Sequence, residues 1–352
     1  MPPENRSNSQ VPRMIDVARR AGVSRMAVSA VLMGTGEGRI RVSPKTATRI
    51  RAAAQEIGYR PNRAAQQLAG KKSGVVAIIA RDWQNFLTQK ALAWMQTFAE
   101  SFDLKVLAVR AYPETDAIYR TLEEYRSGWV DGVVYLAHEN ESQWPELVEL
   151  LRGQPCFVTA IGSLNIDGVP RVINEVQSGA VQSLRHLHER GFRRPVFVTE
   201  QLELGSIPSR LDAYLATASE LGMDFGRKQV IVATRDWLVN DPKFAPLFDE
   251  LAHDLLAIRQ ADSILCDTDF TAAGLLKAIR HLGYRVPEEC AVVGWGNLQF
   301  SAFTDPALTT VSYDLPTLLE RAMSQLKGLI EQHSPKNDTT EVATELVIRE
   351  SA

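Results

Sequence analysis

The chain has 352 residues, 45% of them hydrophobic, and a formal net charge of −3. It is long enough to bury a sizeable core in two or three domains, and it holds no apolar run of membrane-spanning length. Cys156, Cys266 and Cys290 are odd in number and widely spaced, which suggests neither a disulfide framework nor a zinc site. Each reads as a buried free thiol in a reducing cytosol. Residues 1–12 are polar, lack the apolar stretch of a signal peptide and read as a disordered tail, so a soluble cytoplasmic protein is expected.

Met14 to Arg20 predicts a short helix with Ile15, Val17 and Ala18 on its inner face. Ala21-Gly22-Val23 supplies a turn, and Ser24 is placed to cap a second helix ending near Met33. Two helices that cross steeply need a small residue at the contact and a permissive one at the bend. Ala18 and Gly22 fill those places, and Val28 plugs the interface. Gly34 to Arg41 is a glycine-rich loop whose Arg39 and Arg41 read equally as phosphate contacts or solvated charges. A third helix opens with Ser43 as cap and Pro44 in the first turn, carries Ile50, Ala53, Ala54 and Ile57 at helical spacing, and stops at Gly58. Residues 1–73 hold 14 Lys and Arg against 4 Asp and Glu, and the remainder holds 25 against 38. A basic head therefore sits on an acidic body, and clustered positive charge beside a helix-turn-helix is the footprint of phosphate binding.

After residue 74 the pattern alternates. Val75–Ala80 is an apolar run of strand length, and similar runs recur at Lys105–Val109, Gly132–Leu136, Cys156–Ile161, Pro195–Thr199, Val230–Ala233, Ser263–Cys266 and Ala291–Gly294. Amphipathic segments lie between most of them: Leu87–Phe102, Ala117–Ser127, Val176–Arg190, Arg210–Leu221, Thr271–Leu282 and Pro316–Gln332. Strands buried on both faces and alternating with helices predict parallel sheets with crossover helices. Eight or so strands fit two lobes better than one open sheet, with a ligand cleft at the carboxyl ends of the strands.

From about Met14 to Glu350 the sequence resembles the lactose-repressor/galactose-repressor (LacI/GalR) family of bacterial transcription regulators. The head carries Ile15-Asp16-Val17-Ala18, Ala21-Gly22-Val23-Ser24, Val28-Ser29 and Gly58-Tyr59-Arg60-Pro61-Asn62, and Asn62 to Lys71 resembles the family's hinge. The body carries Ser178-Gly179-Ala180, Gly191-Phe192-Arg193-Arg194, Val286-Pro287-Glu288, Asp305-Pro306-Ala307-Leu308-Thr309-Thr310-Val311 and Glu345-Leu346-Val347-Ile348-Arg349-Glu350. The resemblance implies an all-α helix-turn-helix head on a two-lobed, periplasmic-binding-protein-like α/β body with parallel sheets. The divisions expected are the tail (1–12), the head (13–60), a hinge helix and linker (61–73) and an effector-binding and dimerisation body (74–350). The body's N-lobe is placed at about 74–173 and 301–335, and its C-lobe at about 174–300 and 336–350.

The family further implies a homodimeric repressor gripping a pseudo-palindromic operator in double-stranded DNA, under control of a small molecule such as a sugar. Arg25, Met26 and Ala30 fall at its base-reading positions, with Ala30 where most relatives have arginine. Ser24 and Ser29 suit phosphate contacts, Ser24 also serving as a cap. Tyr59, Asn62 and Ala65 join the DNA-facing set. Leu68 matches the hinge leucine that wedges into the minor groove and kinks the duplex.

In the cleft, Arg210 stands at the position of the family's effector-contacting arginine, whose fork suits hydroxyl or carboxylate recognition. Asp269 opens a helix after a strand and weighs more as N-cap and anchor than as ligand. Trp295, and Trp83 or Phe86 in the first strand-to-helix loop, offer stacking surfaces. Gly296 followed by Asn297 stands where many relatives place a hydroxyl-bridging aspartate, and Thr268 replaces a common asparagine, which argues against a simple hexose. Two other readings are weaker. A periplasmic sugar-binding module would need export and gives no reason for the basic head. A glycosyl-transfer enzyme would use Asp267-Thr268-Asp269 as a metal-binding pair, but no phosphate-cradling glycine loop accompanies it. No enzyme activity, cofactor or metal is expected.

Overall fold

The computed structural model describes residues 12–33, 41–60, 72–80, 86–111, 116–137, 145–152, 156–162, 164–203, 205–233, 244–331 and 339–352. Residues 1–11 of the expected tail, the 34–40 part of the glycine-rich loop, the hinge residues Asn62, Ala65 and Leu68, and Trp83 lie outside that set. The chain divides into two compact units, Met1–Ser73 and Gly74–Ala352.

The first unit packs α1 (Met14–Ala21), α2 (Arg25–Met33) and α3 (Pro44–Glu56) around Val17, Ala18, Ala21, Val28, Ile50, Ala53 and Ala54, all buried. Ile15, expected inside, is 42% exposed. On so short a helix the positions 14, 17, 18 and 21 already form the inward stripe, and position 15 points about 100° away from its start. Gly22 adopts φ +62°, so the Val23 N–H can return to the Ala18 carbonyl at 3.0 Å and close α1. Ser43 caps α3, its Oγ accepting from the Thr46 N–H at 3.3 Å, with Pro44 at the first helical position. Replacing Ser43 by alanine is expected to weaken α3 by about 1 kcal/mol. Amide exchange within α3 of the full chain should then quicken about fivefold, with no change in the body.

Among the described residues the second unit contains eleven strands in the order β2-β1-β3-β4-β5-β11-β10-β9-β8-β6-β7. The first lobe holds β1 (Val75–Ala80), β2 (Lys105–Arg110), β3 (Gly132–Ala137), β4 (Phe157–Ile161) and β5 (Arg171–Glu175), all parallel. One face is covered by α4 (Phe86–Ser101) and by a helix from far along the chain, Leu315–Ile330. The other face packs against α5 (Asp116–Arg126) and α6 (Pro145–Leu151). The second lobe is built on β6 (Pro195–Thr199), β7 (Val230–Val232), β8 (Ser263–Cys266), β9 (Ala291–Trp295) and β10 (Thr309–Tyr313). Here α7 (Gln177–Glu189) and α8 (Ile207–Leu221) cover one face, and α9 (Phe244–His253) and α10 (Asp269–His281) the other. The late helix Leu315–Ile330 is α11.

The segment 301–313 was expected in the N-lobe. Its β10 instead pairs with β9, so the first lobe's late contribution begins with α11. The two sheets share β11 (Thr339–Val347), which runs parallel to β5 through Thr339–Ala343 and antiparallel to β10 through Thr344–Val347. Thr344 marks the changeover. Its Oγ1 donates to the Glu175 carbonyl at 2.9 Å and accepts from the Gly179 N–H at 3.0 Å, while the Ser178 hydroxyl donates to its carbonyl at 3.0 Å. A Cβ on Gly179 would fall 2.4 Å from Val311 Cγ1 and 2.6 Å from Thr344 Oγ1, so only glycine lets α7 come this close. Cys266 and Cys290 are buried thiols, and burial pushes both thiol pKa values up; Cys156, expected inside, is half-buried at the start of β4.

Candidate functional site

On the head, the turn into α2 presents Ser24, Arg25 and Met26 outward, with Met26 65% exposed, while Val28 behind them is buried. The Ser24 Oγ accepts from the Ala27 N–H at 3.2 Å, so its capping role is made within the helix. Ser29 and Ala30 are half-buried on the same helix. Tyr59 leaves α3 beside the core, and its N–H donates to the Ala54 carbonyl at 2.8 Å. Burial pushes the Tyr59 hydroxyl pKa up, and the nearby Arg25 charge offsets part of that shift. The fold thus brings Arg25 and Tyr59, far apart in sequence, to one neighbourhood.

In the body, the ends of β6, β8 and β9 deliver Glu200, Asp267 and Trp295 to one edge of the second lobe, and the first turn of α8 adds Arg210. Parallel α/β sheets bind ligands at this carboxyl edge. Arg210 is 5% exposed and its guanidinium lies 3.8 Å from the centroid of the Trp295 ring. Nη1 donates to the Asp267 carbonyl at 2.9 Å, Nε and Nη2 to the Ser206 hydroxyl at 3.2 and 3.1 Å, and Nη2 to the Tyr313 hydroxyl at 3.0 Å. Tyr313 also meets Trp295 edge-on, their centroids 6.2 Å apart. Trp295, expected to offer an open stacking surface, is 2% exposed with one face occupied by the arginine. Phe86 opens α4, and its side chain is not among those described.

Asp269 sits at the start of α10, but the cap is Thr268, whose Oγ1 accepts from the Thr271 N–H at 3.2 Å. The Asp269 carboxylate is fully buried. It accepts from the Leu298 N–H and the Ser301 hydroxyl, each at 2.6 Å, and from the Thr310 hydroxyl. Burial raises its pKa above the usual carboxylate range, and these three bonds pull against that shift without cancelling it. It anchors the loop after β9 to β10. Asn297 is equally committed, its Oδ1 accepting from Arg349 at 2.7 Å and its Nδ2 donating to the Ser312 hydroxyl at 3.2 Å. Asp267 completes the pattern, its carboxylate accepting from the Glu200 N–H at 2.7 Å and the Thr271 hydroxyl at 2.9 Å. The Asp267-Thr268-Asp269 run is therefore occupied by the protein's own donors.

Ser206, Tyr313 and Arg349 belong to this constellation and were not singled out from sequence. Ser206 carries a readable signal, a serine two residues before Pro208 at a helix start. Tyr313 and Arg349 carry none, because they depend on the pairing of β10 and on the chain that follows β11.

Residues 13–62 match the family model for bacterial regulatory proteins of the lacI family, and residues 184–352 match a periplasmic binding protein-like domain. The chain thus carries a lacI-family helix-turn-helix domain followed by a periplasmic-binding-like domain. Its relatives include the HTH-type transcriptional repressor PurR of Pectobacterium atrosepticum, 25% identical over 96% of this chain and 95% of the relative. The HTH-type transcriptional regulator GntR of Pseudomonas aeruginosa is 27% identical over 97% of this chain and 95% of that protein. Among solved structures, the lac repressor dimer bound to operator and the anti-inducer ONPF aligns over 97% of this chain and 99% of its own, with TM-score 0.78 and 21% identity. The complex of the regulator CelR with cellobiose aligns over 97% of this chain and 100% of its own, with TM-score 0.66 and 22% identity. These likenesses establish the two-lobed fold. With a lacI-family head and relatives that are transcription repressors and regulators, the chain is a DNA-binding transcription regulator and not an enzyme. No described helix is long and apolar enough to cross a membrane.

Proposed function

We propose that this chain is a cytoplasmic, homodimeric repressor that binds a pseudo-palindromic operator. A small molecule at the carboxyl edge of β6, β8 and β9 controls that binding. The observation that carries the reading is the outward display of Arg25 and Met26 over a closed three-helix core in the basic part of the chain. Arg25 reads a guanine edge through its fork, Met26 gives apolar contact, and Ser29 and Tyr59 flank them. Ala30, half-buried and without a polar group, adds little base reading. In the body, Arg210 and Trp295 form the ligand-facing pair, and Asp269 and Asn297 hold the surrounding loop in place.

The test starts from an operator selected by the full-length protein from a random duplex library. Arg25→Ala is expected to weaken binding to that operator by about 10- to 100-fold, as for loss of one bidentate base contact worth ~1–3 kcal/mol. Binding to unrelated duplex should fall far less. Wild-type protein that enriches no palindromic sequence, or a variant that loses both kinds of binding equally, would refute the assignment.

A further inference from the structure

We infer that the molecule taken up at the carboxyl edge is an oxyanion, a small compound bearing a carboxylate or phosphate that meets Arg210 and Trp295 together. The inference rests on the effector reading above and specifies its chemistry. Arg210 is a buried cation whose partners are all neutral: the Ser206 hydroxyl, the Tyr313 hydroxyl and the Asp267 backbone carbonyl. Among the described residues no carboxylate comes within ion-pair distance of it, although Asp267 and Asp269 lie on the same edge. Both acids are engaged elsewhere by uncharged donors, Asp267 by the Glu200 N–H and Thr271, Asp269 by the Leu298 N–H, Ser301 and Thr310. The fold has the means to neutralise its buried guanidinium and does not use them.

The second observation is independent. Trp295 is 2% exposed, and its indole Nε1–H finds no acceptor among the described residues. An indole nitrogen only donates, and a buried donor left without a partner is destabilising. Of the five guanidinium N–H groups, one on Nη1 likewise has no acceptor among the described residues. The guanidinium lies over the Trp295 ring, so the unmet positive charge and both unmet donors are close neighbours. A neutral sugar would satisfy the donors and leave the charge uncompensated. An oxyanion satisfies both, through charge-assisted bonds that are stronger than neutral ones. Asn297, bound to Arg349 and Ser312, offers no carboxylate to bridge a pair of sugar hydroxyls.

The experiment follows the Trp295 indole N–H by NMR in full-length protein carrying 15N-labelled tryptophan, its signal identified by loss in Trp295→Phe. Acetate, inorganic phosphate and glucose are titrated separately at matched ionic strength in chloride. The expected result is a saturable downfield shift with acetate or phosphate and none with glucose. The anion that acts at lower concentration tells carboxylate from phosphate, and glucuronate against glucose 6-phosphate repeats the contrast on one sugar ring. Arg210→Gln should abolish the response. If that variant fails to fold, Arg210→Lys, which keeps the charge but loses the fork, should weaken it about tenfold. A signal unmoved by both anions, or moved as much by glucose, overturns the inference. A neutral compound that releases the operator would do so too while leaving small-molecule control intact. An intact anion response with operator binding indifferent to every compound fails the regulatory reading alone.

Discussion

Gly294→Ala is expected to destabilise the body by about 3 kcal/mol, near the upper end for over-packing by a single methyl group. Gly294 lies in the buried strand β9, and a Cβ there would fall 2.3 Å from Asp269 Oδ1 and 2.8 Å from Leu308 Cδ2. The oxygen in the way belongs to a carboxylate held by Leu298, Ser301 and Thr310, so it cannot swing aside without breaking those bonds. Backbone strain plays no part, since Gly294 is not among the glycines of positive φ. Urea unfolding of the full chain should show a lowered midpoint at unchanged slope. A loss below about 1 kcal/mol would mean the carboxylate has room that the structure denies it.

The second large effect comes from removing that carboxylate. Asp269→Ala leaves a buried N–H and two buried hydroxyls without their acceptor, and a loss of about 4 kcal/mol is expected. The pH dependence separates charge from packing. Because burial raises the folded-state pKa of Asp269, the folded protein holds this proton more tightly than the unfolded chain does. Its contribution is therefore fully present below the unfolded pKa and is lost as pH rises through the raised folded value. The stability gap between wild type and Asp269→Ala should widen as the solution is acidified toward the ordinary carboxylate range. Urea midpoints of both proteins at successive pH values measure that gap, and a gap that narrows on acidification would show the bonds, not burial, to dominate.

The head and most helices of the body were readable because their signals are local, whereas α6 and α9 were not among the expected segments. Ser43, Pro44 and Gly58 punctuate α3, and Gly22 closes α1. Buried strands such as Val75–Ala80 and Ala291–Trp295 declare themselves by unbroken apolar composition. Three strands escaped: β5, β10 and β11. Each is polar where it does its work. Arg171 donates to Thr339, Thr310 holds Asp269, and Thr344 joins α7 to the strand crossing. Their hydrogen-bonding side chains are satisfied by partners up to 169 residues away, as with Thr344 and Glu175, which no periodicity can announce. For the same reason the lobe boundary was misplaced around β10. In the candidate site, Arg210 and Trp295 were legible as residue types in the right register. That they would bury each other's functional faces was not, because it depends on how α8 docks against β9.

The late position of α11 bears on how the chain is made. Leu318, Leu319, Ala322, Met323 and Leu326 complete a core whose strands β1, β3 and β4 were synthesised long before. Until that helix leaves the ribosome, α4 alone covers that side of the first lobe. At ~5–20 residues per second the nascent lobe waits on the order of ten seconds with Val134 on β3 and Val158 on β4 without their late cover. The head needs nothing from downstream and can fold as soon as it emerges. A cell short of chaperones should therefore accumulate chains with a finished head and an aggregating body, and premature stops before Leu315 should yield insoluble protein rather than a smaller working regulator.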